Sequence, residues 1–375
     1  MVNHTCDICS SDKVIKEIPT GVNPAGMDIT PDGKYLYVAN SNNYGLINQD
    51  TVSVIDLEKN MVIKTITDVT FSSPNSVKIT NNKCYVMNSS SSTISIINTD
   101  TNQVIGTISG SGIDVLDGPS IMVITPDKTK GYVNNYGINS NGNHVSVIDL
   151  INDVIIATII IGDNINVPNP ASPADLAISP DGKKLYVVNY ANDSSGNPSV
   201  PGYISIIDVI TNKIVDTIGN IGLYGQYNIR ISPNGKFAYI SNFGSNNFNP
   251  IGSTISVLDL YSNLITNTID LSIQPAGIAF SPNGETAYVN NYNVLYSGLP
   301  SPAIPPCTCP TGYNGLTAGD GIVNIIKTSD HTVCSKNIKV SQGPGNIISS
   351  PNGKYLYVSS YVGNVINVIK LDTWI

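Results

Sequence analysis

A phrase repeated seven times, four β-prone segments in each copy, and a lone N-terminal strand that completes an unfinished last copy predict an all-β fold: a seven-bladed β-propeller of four-stranded antiparallel blades. The phrase runs through an apolar strand, a Ser/Thr-Pro-Asp/Asn-Gly-like turn, a Tyr-Val-x-Asn strand, Val-Ser-Val-Ile-Asp, and a final Val-Ile-x-x-Thr-Ile. No stretch shows a sustained helical period.

The clearest copies run from Pro24 to Ile66 and from Pro173 to Ile218, and the others start near Pro74, Pro119, Gln226, Pro275 and Pro344. The Ser or Thr before each first turn marks the register: Thr30, Thr80, Thr125, Ser179, Ser232, Ser281 and Ser350. The spacing of these markers, about 45 to 70 residues, suits propeller blades rather than helical solenoids. Pairs such as Asp32-Gly33, Asp181-Gly182 and Asn283-Gly284 tolerate positive φ and predict tight hairpins between the first and second strands. The seventh copy stops after its third strand, while Asp12 to Ile18 reads as an orphan fourth strand. Joining the two closes the ring and leaves only short, protected edges.

The Tyr-Val-x-Asn strands, as in Tyr37-Val38-Ala39-Asn40 and Tyr186-Val187-Val188-Asn189, and the Pro-Asp-Gly turns resemble the YVTN β-propeller repeats. Those repeats occur in surface-layer-like proteins and, distantly, in seven-bladed lactonase-like enzymes. The resemblance spans the chain from about Asp12 to Thr373. It implies a fold and leaves the activity open, because the shared residues are packing and turn signals.

Because the repeat runs end to end without a linker, residues 12–375 are expected to form one domain after a tail at 1–11, with an insert in blade six at 293–320. The chain has no apolar run of membrane-spanning length, which predicts no membrane insertion, and its start lacks the basic and apolar parts of a signal peptide. A net charge of −8, only 12% charged residues and a single arginine, Arg230, argue against nucleic acid as a partner. The polar surface must come from Asn, Ser and Thr, a composition that favours a cell-surface, secreted or virion setting over the cytoplasm.

In a propeller the first-to-second and third-to-fourth turns share one face, and the other connections share the opposite one. The first set is uniformly tight here; the second varies widely, as at Ser41 to Asp50, Ala191 to Gly202 and Asn293 to Asp320. Variable loops on a rigid scaffold are where binding concentrates, so the loop-rich face is the candidate surface. After the repeat Asn, blades three to seven carry Tyr136, Tyr190, Phe243, Tyr292 and Tyr361, beside Asn135, Asn189, Asn242 and Asn291. Aromatics beside amides can hold a glycan or a protein segment by stacking and directional hydrogen bonds. The competing structural reading wedges the rings between blades and uses the amides to cap the turning backbone.

Catalytic signals are sparse. The three histidines, His4, His144 and His331, fall in unrelated parts of the repeat, so neither a metal site nor a triad assembles from them and no cofactor or metal is expected. The inner strands carry Asp28, Lys78, Asp175 and Arg230, which adjacency predicts as two ion pairs, Asp28 with Lys78 and Asp175 with Arg230; an anion bound in the channel by Arg230 is the alternative. The repeat Asp at Asp56, Asp149, Asp208 and Asp259 suits turn capping better than catalysis.

Six cysteines add one further question. Cys6 and Cys9 in the tail, with Cys307 and Cys309 in the insert, have zinc-like spacing, but the fold puts the two pairs on opposite faces, roughly 17 to 20 Å apart. Cys6 or Cys9 can instead form a disulfide with each other or with Cys334, whose strand is in the neighbouring blade; free thiols are the alternative.

These readings lead to a non-enzymatic interaction or structural propeller that binds a protein or glycan on its loop-rich face. A lactonase-like hydrolase acting at the central channel and a self-assembling coat component built from identical copies are the alternatives. The hydrolase needs carboxylates or histidines converging within about 3 to 4 Å on one water or metal.

Overall fold

The computed structural model describes residues 12–372 apart from 42–49, 111–114, 136, 138–142, 162–170, 192–201, 220, 222–225, 244–252, 272–273 and 292–319. The described chain folds as 28 strands in seven four-stranded antiparallel sheets. Each sheet of blades one to six uses four consecutive strands, so every connection within a blade is local. Blade seven takes its first three strands from Pro344–Ser349, Tyr355–Ser360 and Val365–Lys370, and its outer strand from Lys13–Pro19 at the other end of the chain. That strand pairs from Lys13 opposite Lys370 to Pro19 opposite Val365, and Ile18 is only 2% exposed in the seam with blade one.

The hairpin turns owe their geometry to the repeat's polar residues. Thr30 Oγ1 donates to Asp32 Oδ1 at 2.6 Å and accepts from the Tyr35 amide at 3.0 Å, while Gly33 takes φ of +72°, a region open to glycine without a Cβ clash. Ser179, Ser232, Ser281 and Ser350 repeat the arrangement. Blade two departs from it: its turn lacks Pro and Gly, and Thr80 pairs directly with Lys83 across a two-residue hairpin that starts with Asn81 at φ +52°. Around the same face Gly33, Gly182, Gly235, Gly284 and Gly353 each lie against a proline of a neighbouring turn, as Gly33 does on Pro351.

The core is divided among the seams rather than gathered in one place. Seven apolar clusters are present, one between each pair of neighbouring blades, and the cluster of Ile18, Met27, Leu36, Val38, Tyr357 and Val368 closes blade seven on blade one. Each fully buried apolar side chain contributes about 1.5 to 3 kcal/mol, so every seam is a sizeable interface. Among the described residues no helix is long and apolar enough to cross a membrane.

Candidate functional site

The repeat tyrosines form the first layer of the framework. Tyr37, Tyr85, Tyr132, Tyr186, Tyr239, Tyr288 and Tyr357 are all among the fully buried side chains, and four of them reach the third-to-fourth turn of the next blade. Tyr37 donates to Asn102 Oδ1 at 2.6 Å, Tyr85 to Asp153 Oδ1 at 2.7 Å and Tyr132 to Asn212 Oδ1 at 2.8 Å, while Tyr239 shares a 2.7 Å hydrogen bond with His331 Nδ1. Each acceptor residue adopts positive φ, between 54° and 60°, where Asn, Asp and His are better tolerated than most residues. The tyrosine thus packs one seam and ties the next turn at once. Sequence patterning missed this role, since it depends on which blade is the neighbour.

The repeat asparagines form the second layer. Asn135, Asn189, Asn242 and Asn291 are 0% exposed, and each donates through Nδ2 to the third strand of its own blade. The acceptors are Ser146 Oγ at 3.0 Å, Ser205 Oγ at 3.1 Å, Ser256 Oγ at 2.9 Å and Asn324 Oδ1 at 2.7 Å. Blade seven inverts the pair, with Asn367 on the third strand donating to Ser360 Oγ on the second at 2.7 Å. Burial and these internal bonds withhold the four candidate ligand amides from a surface ligand, which corrects the expectation of their exposure.

The aromatic row is only partly visible. Tyr136 and Tyr292 lie outside the described residues, and Tyr190 is placed on its strand without a described side chain. Phe243 and Tyr361 are half-buried. Tyr361 donates its amide to the Gly343 carbonyl and accepts from Asn23 Nδ2 through its own carbonyl, so its backbone joins blades seven and one.

The inner strands hold two inter-blade ion pairs. Lys78 Nζ lies 3.0 Å from Asp28 Oδ2, and the same oxygen accepts the Ile79 amide at 2.8 Å. Arg230 Nη1 lies 2.7 Å from Asp175 Oδ2, an oxygen that also accepts Asn228 Nδ2 at 2.6 Å and the Ile229 amide at 3.0 Å. Asp175 has no exposed surface, and burial pushes its carboxyl above the usual range even with Arg230 beside it. Asp175 sits one pleat repeat nearer the loop-rich end than Asp28, at the level of Asn228. All seven first strands shift register against their second strands in this region, which frees backbone amides for such side-chain acceptors. Asn134 Oδ1 takes the Ile121 amide and Asn290 Oδ1 the Gly277 amide in the same manner.

The repeat carboxylates cap their turns. Asp56 Oδ1 accepts the amides of Glu58 and Lys59, and Asp149, Asp208 and Asp259 accept corresponding amides in their blades. The Lys59 ammonium, with these amides, holds the Asp56 carboxyl below the usual range. His144 is buried with Nε2 3.2 Å from the Val115 carbonyl, His331 sits in the blade-six turn, and His4 lies outside the described residues. Among the described residues no group of three or more His, Cys, Asp or Glu side chains is arranged to hold a metal ion.

Cys334 is 5% exposed in the cluster between blades six and seven, and Cys84 is fully buried between blades one and two, where burial pushes its thiol well up. Cys6, Cys9, Cys307 and Cys309 lie outside the described residues.

No family model matches the chain. It is 27% identical over 202 residues to Antigen Lp49 of Leptospira interrogans, a match that takes in 53% of this chain and 39% of the antigen. The chain therefore spans well under half the length of that relative. A seven-bladed beta-propeller protein of Mycobacterium tuberculosis is 25% identical over 96% of this chain and 85% of its own length. Among solved structures, Kuenenia stuttgartiensis hydrazine synthase superposes with a TM-score of 0.69 at 18% identity, over 99% of this chain and 100% of that chain, a likeness of fold alone. The seven sheets, their shared closure and these likenesses agree on one conclusion: the chain is a seven-bladed β-propeller.

Proposed function

We propose that this propeller is a non-enzymatic interaction module, borne on a cell surface or particle, that binds a protein or glycan through the face from which its long connections emerge. The observation that carries the reading is the internal use of the repeat's polar groups: the NH2 groups of its asparagines, its turn carboxylates and several tyrosine hydroxyls are spent on the framework. What is left to differ between blades is the second-to-third connection, from the short turn at Ser89–Ser92 in blade two to the stretch 292–320 in blade six. Variable connections on a rigid ring are the usual carriers of recognition. The relative named as an antigen, and the resemblance of the repeat to surface-layer-like propellers, support a surface setting.

The test is a glycan array and a pull-down, each run with the parent chain and with Tyr136→Ala, Tyr190→Ala and Tyr292→Ala. The reading expects a bound glycan or protein whose capture falls in at least one variant. Capture that is equal in all four chains moves the site off the aromatic row.

A further inference from the structure

The seam between blades seven and one differs from its neighbours on the tight-turn face. Two residues before the buried tyrosine, blades two, three and four carry Lys83, Lys130 and Lys184, and blade five carries Phe237. Lys83 reaches Asp153 Oδ2 at 2.6 Å in the next blade, Lys130 reaches the Val209 carbonyl at 3.1 Å, and Phe237 meets the His331 ring edge-on at 5.2 Å. Lys83, Lys130 and Phe237 thus bridge their seams. Blade seven has Tyr355 at this position and blade one has Tyr35, and a cleft of about 330 Å³ opens between the two blades.

The walls of this cleft carry three tyrosines, Tyr35, Tyr355 and Tyr357, with Asp32, Asp56 and Asn352. Tyr357 is 1% exposed, and its hydroxyl has no hydrogen-bond partner among the described residues, whereas four of the seven repeat tyrosines, Tyr37, Tyr85, Tyr132 and Tyr239, each have one. Burial, with Tyr355 nearby, pushes its phenol up to about 12, so it is a standing donor at neutral pH. Asn352 spends its carbonyl oxygen on Ser350 and the Lys354 amide, and its NH2 group has no partner among the described residues. Because Tyr357 lines the cleft, its hydroxyl is available as a donor to a group seated there.

The charge around the cleft decides the class of that group. Asp32 lies 3.4 Å from Lys34 Nζ, and Asp56 lies 2.9 Å from Lys59 Nζ, so two of its three carboxylates are neutralised and only Glu58 stays outside these pairs. A cationic ligand would have to displace existing pairs, and an anion would meet carboxylates. A neutral ring rich in hydroxyls meets neither cost: its C–H faces lie on tyrosine rings while its hydroxyls bond to carboxylate, amide and phenol. We infer that the cleft between blades seven and one, floored by Tyr357 and walled by Tyr35, Tyr355, Asp32, Asp56 and Asn352, is a binding site for a neutral saccharide unit. The site lies on the face opposite the long connections and is independent of the function proposed above.

The experiment uses the whole chain on an array of neutral mono- and oligosaccharides, followed by calorimetric titration of each hit. The expected result is at least one hit that Tyr355→Ala and Tyr357→Phe each weaken about tenfold or more, the scale of one lost hydrogen bond or stacking contact. Tyr357→Phe serves as the folding control, because its hydroxyl makes no bond among the described residues and the melting temperature should match the parent. Replacing 293–320 with a short Gly/Ser linker should leave the hit unchanged. An array without a neutral saccharide hit, a hit that withstands both tyrosine substitutions, or tighter binding of Nα-acetyl-lysine amide overturns the inference. A hit lost only with the 293–320 replacement also overturns it and assigns the sugar to the opposite face.

Discussion

Tyr239 of blade five and His331 of blade six share a 2.7 Å hydrogen bond through Nδ1, at the place where other blades hold Asn or Asp under the incoming tyrosine. The imidazole is half-enclosed by the edge-on ring of Phe237 and by Tyr239 itself, and burial pulls its pKa below the ordinary histidine value, against the opposing pull of Asp330. The folded state therefore holds fewer protons on this group than the unfolded chain once the pH drops below the unfolded histidine value, about 6.5. Its contribution to stability is present above that pH and is lost as the pH falls toward the folded value. His331→Asn keeps an acceptor at the same φ and removes the titration. Melting curves between pH 5 and 8 should show the parent losing stability relative to His331→Asn on the acid side, with a flat difference above about pH 7; a constant offset at all pH values contradicts this.

Tyr85 and Tyr357 occupy the same place in the repeat but differ in what their hydroxyls do. Tyr85 bonds Asp153 at 2.7 Å, and Tyr357 bonds nothing among the described residues. Tyr85→Phe should cost about 1 to 2 kcal/mol in denaturant unfolding, since it also strips one donor from a half-buried carboxylate. Tyr357→Phe should stay within about 0.5 kcal/mol of the parent. Equal losses at the two positions would place a hydrogen bond on Tyr357.

Asp175 accepts from Arg230, Asn228, and the Ile229 and Leu176 amides with no exposed surface of its own, so the cost of losing it is large and asymmetric. Asp175→Ala should destabilise by about 3 to 5 kcal/mol, the range for breaking a buried pair. Arg230→Met should cost less, because three N–H donors remain on the carboxylate and Arg230 is itself 31% exposed. Asp175→Asn keeps one side-chain oxygen for these donors and should cost less than Asp175→Ala, which keeps none. Chemical denaturation of the three variants gives the order directly.

Closure of the ring rests on the Lys13–Pro19 strand, whose loss would expose the whole hydrogen-bonding edge of Val365–Lys370. A chain lacking residues 1–19 should aggregate or elute as higher oligomers on size exclusion, and a synthetic peptide of residues 12–20 should return it to the parent's elution volume. Ile18→Ala, a milder lesion in the same seam, should cost about 2 to 4 kcal/mol. A monomeric, undiminished truncation would show that the strand is dispensable.

The ring itself was legible in the sequence because its signals are local. The turn residues at Asp32-Gly33, the alternation in Tyr37 to Asn40, and the orphan strand at Asp12 to Ile18 each predict their own structure within a few residues. The Asp28–Lys78 and Asp175–Arg230 pairs could be anticipated once blades were counted, because neighbours in the repeat are neighbours in space. The asparagines admit two readings in the sequence because an amide at a strand end looks alike whether it faces a loop or a neighbouring strand. One signal could have decided the matter: blade seven has Ser360 where the others have Asn, and Asn367 where blades one to five have Ser. That exchange within the repeat marks the two positions as touching. The tyrosine bonds to the next blade, and the cleft left by Tyr355, depend on geometry across a seam and had no local signature.

The central claim is a division of labour: the regular groups hold the ring, and recognition lies where the repeat is irregular. Replacing 293–320 with a short Gly/Ser linker, and measuring melting temperature and capture on the glycan array and in the pull-down for the same preparation, tests it most directly. The account predicts an unchanged melting temperature with loss of at least one captured partner. A lowered melting temperature with capture intact would contradict it.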